Sequence, residues 1–114
     1  MDAIEIILLY DYYGDLLTDR QKECFELRYY QDLSLGEIAA ELGISRQGVH
    51  DNLSRAEALL RNMEAKTGCV SRDQACRKAV STILDAANLL LQNEDPVVST
   101  LAQRIVVAAQ GLEE

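Results

Sequence analysis

Helix breakers are scarce in this chain, which holds one proline and six glycines among 114 residues. Proline ends or kinks a helix and glycine weakens its interior, so their scarcity, beside abundant Ala, Leu, Glu, Arg and Gln, favours helices over strands. No apolar run approaches the ~20 residues that span a bilayer. The start, Met1-Asp2-Ala3, lacks the basic stretch of a secretory signal, so the reducing cytosol is the expected location. The three cysteines, Cys24, Cys69 and Cys76, are odd in number and show no Cys-x-x-Cys spacing. They read as buried or idle thiols, and neither a disulfide framework nor a zinc site is expected. A glycine-rich phosphate loop is also missing, and no metal or other cofactor is expected. The lone histidine, His50, has no Ser, Cys or carboxylate in a motif-like relation and reads as a surface residue. The carboxylates are scattered along helices as solvating groups, so no enzyme is expected.

Positive charge is in short supply too. Eleven Lys and Arg face nineteen Asp and Glu, for a net charge of −8. Residues 1–66 carry seven basic and thirteen acidic side chains, a net −6. Duplex binding takes most of its affinity from neutralised phosphates, so this deficit opposes tight nonspecific binding to nucleic acid. A local basic patch stays open.

What is present is a succession of helical patterns in one domain or a compact pair of helical lobes. The opening DAIEIILLYDYYGDLL is apolar on two sides: Ile4, Ile7 and Leu8 form one stripe, and Ile6, Leu9, Tyr10, Tyr13 and Leu17 another. A helix apolar on two sides is expected to be buried on two sides, by a second subunit or by its own chain. Gly14 is expected to end it. Thr18 and Gln21 then read as a capping box for a second helix, and Ser34 and Glu37 as another for a third. Gly43 fits a left-handed helix end, and Ser45 the cap of a fourth helix. Val49, Leu53, Ala56, Leu60 and Met63, at spacings of three and four, carry that helix to about Lys66. Thr67-Gly68-Cys69-Val70 reads as a break, and Ser71 with Gln74 as a further capping box. The last helix opens with Asp95 as cap and Pro96 at its first position, and Gly111 is expected to end it. The expected organisation is a helix-turn-helix domain with an N-terminal helix over 1–66 and a helical extension over 71–114 packing on it.

The stretch Leu33–Leu60, LSLGEIAAELGISRQGVHDNLSRAEALL, is a short capped helix, a glycine-containing turn and a second capped helix. That is the helix-turn-helix arrangement. Ala39 is small where the two helices approach, and Ile38, Leu42, Ile44, Val49 and Leu53 are the expected shared core. The 45 residues from Leu17 to Arg61 resemble the fourth region of bacterial sigma factors, through LTDRQ, LRYYQDLSLGEIAAELGIS, RQGV and LSRAEALLR. The wider chain, with its YDYYGDLLTDRQ opening and its acidity, is similar to the YlxM-like family of small bacterial proteins associated with the signal recognition particle pathway. That resemblance implies an all-α, sigma region 4-like helix-turn-helix bundle with additional C-terminal helices. It also implies a homodimer and a regulatory or accessory role alongside signal recognition particle components, whether protein or RNA.

In a helix-turn-helix the first residues of the second helix face the major groove. Here the candidates are Ser45, Arg46, Gln47, His50, Ser54 and Arg55, with Asp51 among them. Arg bonds guanine and Gln bonds adenine at their groove edges, and Ser45 at the helix start suits a phosphate. Arg20, Lys22 and Arg28 are candidates for backbone contacts. Sigma-like proteins usually carry basic residues where this chain reads His50-Asp51-Asn52, and Asp51 faces phosphates unfavourably. An Arg55–Asp51 pair at four residues' spacing is expected to contribute ~0.3–0.5 kcal/mol. The five tyrosines, at 10, 12, 13, 29 and 30, suit core packing better than base stacking, since stacking platforms come with basic neighbours. The function expected first is a non-enzymatic accessory protein of the signal recognition particle pathway. The alternative is a sequence-specific DNA-binding transcriptional regulator acting as a dimer.

Overall fold

The computed structural model describes residues 3–113. Among them are α1 (Ala3–Tyr13), a 3-10 turn (Gly14–Leu16), α2 (Asp19–Tyr29), α3 (Leu35–Leu42), α4 (Arg46–Thr67), α5 (Cys69–Leu90) and α6 (Pro96–Gly111), with no strand. The fold is all-α. The chain divides into two compact units, Met1–Val70 and Ser71–Glu114.

Local chemistry sets most helix starts. Thr18 accepts the Gln21 N–H while the Gln21 side chain accepts the Thr18 N–H, and Ser34 and Glu37 repeat the arrangement. Each box satisfies two N–H groups that the helix itself cannot reach. Asp95 accepts the Val97 N–H at 2.9 Å, with Pro96 behind it where a missing N–H costs nothing. Gly43 ends α3 at φ 69°, a conformation in which a Cβ is crowded.

In the N-terminal unit α4 is the spine on which α1, α2 and α3 pack. Its Val49 and Leu53 join Cys24, Leu27, Ile38 and Ala39 in one core cluster. One turn further on, Ala56 and Leu60 join Ile6, Leu9, Tyr13, Leu17, Phe25 and Val70 in a second. Phe25 is fully buried and stacks on Tyr10, with ring centroids 4.2 Å apart, while Tyr29 and Tyr30 pack around it. The tyrosines therefore serve packing. The expected second buried side of α1 is mostly met within the chain. Ile7 and Leu8 are half-buried against the core, and only Ile4 stands out, 81% exposed.

Two expectations about helix ends are corrected. α1 stops at Tyr13, but Gly14 opens a 3-10 turn and its φ is not positive. A Cβ there would lie 3.0 Å from the Tyr10 ring, so close approach is what favours glycine. The break after α4 is one residue long, Gly68 at φ 64°, and α5 starts at Cys69 rather than after Ser71. The cause is a set of side chains from other helices. Thr67 Oγ1 lies 3.4 Å from the Cys69 N–H and Glu64 Oε1 accepts the Val70 N–H at 3.1 Å, so the first N–H groups of α5 find acceptors on α4. The Tyr13 hydroxyl donates to the same Glu64 oxygen at 2.7 Å and lies 2.6 Å from the Thr67 hydroxyl. This cluster ties the end of α1 to the end of α4. Gly111 ends α6 as expected, with Leu112 as its C-cap.

In the C-terminal unit, a recess of about 420 Å³ is lined by Asp73, Cys76, Arg77 and Val80 of α5 and by Leu112 and Glu113. The end of α6 thus lies beside the first half of α5, and the two form an antiparallel hairpin, as a short connection requires. Val80 and Ala87 of α5 and Ala102, Val106 and Ala109 of α6 are buried.

Candidate nucleic-acid interface

The turn between α3 and α4 is built from three short-range devices. Gly43 reverses the chain, its N–H donating to the Ala39 carbonyl. Ala39 is buried at the crossing of the two helices. Ser45 Oγ accepts the Gly48 N–H at 2.9 Å and starts α4. A Cβ on Gly48 would lie 3.1 Å from that hydroxyl oxygen, which explains a glycine so early in a helix.

With α4 fixed by Val49, Leu53, Ala56 and Leu60, the opposite side of its first three turns faces water. Ser45, Arg46, Gln47, His50, Ser54 and Arg55 are all exposed there. Ser45 spends its acceptor on the helix start. Gln47 Nε2 donates to Asp51 Oδ1 at 3.0 Å, and His50 Nδ1 stands 3.7 Å from the same oxygen. At 100° per residue, Gln47, Asp51 and Ser54 form the stripe most remote from the core, so the carboxylate stands at the centre of the exposed face. The expected Arg55–Asp51 pair is not formed. Among the described residues Arg46 and Arg55 have no ion-pair partner, and the Arg46 side chain passes over Gly36 at the start of α3. Asn52 turns back to donate to the Gly48 carbonyl at 2.8 Å.

Three other cations of this unit have partners within the fold, while Arg20 stands exposed. Arg28 Nη1 donates to the Leu33 carbonyl at 3.0 Å and holds the α2–α3 connection, and Lys22 lies 3.7 Å from Asp15. Arg61, a turn and a half beyond Arg55, lies 3.8 Å from Glu57. The Glu57 carboxylate also accepts from the Tyr29 hydroxyl, and burial together with that carboxylate pushes the Tyr29 hydroxyl up to about 12. Glu37 is held below the usual carboxylate range by the backbone N–H of Ser34. Sequence reasoning missed Gln47 as the Asp51 partner, although their spacing of four was the available signal.

Two capped helices joined at a left-handed glycine, with the second helix open to solvent along one side, define a helix-turn-helix protein. Residues 2–98 match the family described as "Putative helix-turn-helix protein, YlxM / p13 like" (UPF0122). A UPF0122 protein of Thermoanaerobacter sp. strain X514 is 43% identical over 114 residues, covering 99% of this chain and 95% of that one. Another from Caldanaerobacter subterraneus subsp. tengcongensis is 51% identical over 82 residues, 72% of this chain and 70% of its own. The chain belongs to the UPF0122, YlxM/p13-like family.

Proposed function

We propose that this chain is a non-enzymatic accessory protein of the signal recognition particle pathway, acting in the cytoplasm. In this reading its helix-turn-helix half binds a basic protein or ribonucleoprotein component rather than bare duplex DNA. The observation that carries it is Asp51. A carboxylate at the centre of the exposed α4 face, occupying the Gln47 amide, repels phosphates and removes a base-reading donor. The surrounding net −6 suits a partner of opposite sign. The pathway itself comes from the family resemblance. We take the working form to be a homodimer.

A second reading, a dimeric DNA-binding regulator, is favoured by the six exposed candidates on one side of α4 and by the unpaired Arg46 and Arg55. Recovery experiments separate the two. The tagged chain is expected to retrieve signal recognition particle components from native cell extract, and to show no duplex complex at physiological salt. Recovery of a discrete DNA site without particle components, in a complex that weakens steeply as salt rises, reverses the order.

A further inference from the structure

The C-terminal hairpin is two-sided in a way that its own two helices do not use. Ile83 and Leu90 on α5 are each 45% exposed, and Leu101 and Ile105 on α6 are 50% and 41% exposed. Each stands one position before a buried or half-buried residue: Leu84 on α5 and Leu91 just past its end, Ala102 and Val106 on α6. In an antiparallel pair the same offset on both helices points to the same side of the hairpin. The opposite side carries Ser81 and Asn88 of α5, Gln92 just beyond its end, and Gln103 and Gln110 of α6, all exposed, with Leu89 and Val107 as exposed apolar side chains outside the apolar side.

We infer that this apolar side is the homodimer interface, stacked on the same side of a second copy to make a four-helix bundle. Its occupant follows from size and shape. With the exposed Ala79, Ala86, Ala108 and Leu112, the side presents on the order of 500 Å² of apolar surface, at the upper end of what monomers leave uncovered. Two copies together bury about 1,000 Å², the threshold for a specific interface. The face is also self-complementary. A two-fold axis running across the helices sets Ala79 against the second copy's Leu90, Ile83 against its Ala86, and Ile105 against its Ala108. A long side chain meets a short one at these three levels, as interdigitating layers require, and the same register sets Leu101 against the second copy's Leu112 at the end of the face. α1 offers no such face, since its one strongly exposed apolar side chain is Ile4.

This inference rests on the homodimer reading, and the test separates their failures. In sedimentation at micromolar concentration, the wild-type chain is expected at twice its 12.7 kDa mass. Ile83→Asp and Ile105→Asp each place a carboxylate in the dry interface and are expected to raise the dissociation constant at least ~100-fold with helicity unchanged. Ser81→Asp and Gln103→Asp, on the polar side, are expected to leave the dimer intact. In a Cys69→Ser, Cys76→Ser background, a mixture of Ile83→Cys and Ala86→Cys chains is expected to form a mixed disulfide. A wild-type monomer overturns both readings. A dimer that survives both isoleucine changes keeps the homodimer and overturns this face. Absence of the mixed disulfide overturns the stacking register.

Discussion

Glu64 is the acceptor on which three helices converge, and its removal is the most demanding check on the fold. Its Oε1 receives the Tyr13 hydroxyl at 2.7 Å and the Val70 N–H at 3.1 Å, and both donor residues are buried. Glu64→Ala leaves two donors to be solvated at a helix end and at the core edge. Unsatisfied buried donors cost ~1–3 kcal/mol each, so a loss of about 2–4 kcal/mol is expected once partial access of water is allowed for. Glu64→Gln keeps one acceptor oxygen and is expected to cost about 1 kcal/mol, the difference between a charged and a neutral hydrogen bond. Tyr13→Phe removes one donor and its Thr67 neighbour, for about 1–2 kcal/mol. The assay is urea unfolding followed by tyrosine emission. All five tyrosines lie between positions 10 and 30 and the chain has no tryptophan, so the signal reports only the N-terminal unit. With a slope near 1 kcal/mol per molar, Glu64→Ala lowers the midpoint by ~2–4 M. In the double mutant the two losses are expected to fall short of additivity by at least ~1 kcal/mol, because both act on one hydrogen bond. Additive losses, or a Glu64→Ala effect under 1 kcal/mol, refute the convergence.

Three further outcomes follow from the geometry. Gly43→Ala is expected to lose about 1 kcal/mol, because φ 69° crowds a Cβ, while Gly43→Asn loses less; equal losses in thermal unfolding would remove backbone strain as the cause. The Tyr29 hydroxyl sits near 12 in the fold against 10 for the free side chain, so its contribution is complete below pH 10 and declines as pH rises toward 12. Tyr29→Phe is expected to flatten that part of the stability profile, and an unchanged slope in denaturation at pH 9–12 counts against the Glu57 bond. Asp51→Lys removes the central carboxylate and releases Gln47, so duplex affinity at low salt is expected to rise at least ~10-fold with a steeper salt dependence. An unchanged mobility shift would show that the α4 face does not meet DNA even when its charge permits.

The parts of this molecule legible in the sequence are those fixed within four residues. The caps at Thr18, Ser34, Ser45 and Asp95 and the left-handed Gly43 all follow from adjacent side chains, and each forms as the spacing predicts. The apolar row on α4 is equally local, a single helix face. The start of α5 was not legible, because its acceptors sit on the preceding helix and one of them is shared with Tyr13, 51 residues away. Ser71 has the right side chain for a cap and lies inside the helix, since Glu64 and Thr67 reach the first N–H groups ahead of it. At the candidate interface Ser45, Arg46, Gln47, His50, Ser54 and Arg55 all lie on open surface. The sequence paired Asp51 with Arg55, where the structure pairs it with Gln47. Both partners stand four positions from Asp51, and spacing alone does not choose between them.

The single row on α4 has a consequence for how the N-terminal unit comes apart. Val49 and Leu53 belong to the core under the helix-turn-helix, and Ala56 and Leu60, on the same face one turn later, to the core under α1. Neither core closes without the same rigid rod, so neither has a private route to opening. Amide protons in α3 and in α1 should then exchange with solvent through one shared event at one free energy. A partner gripping only the α3–α4 turn would slow exchange in α1 by the same factor, reporting its grip on a helix it does not touch.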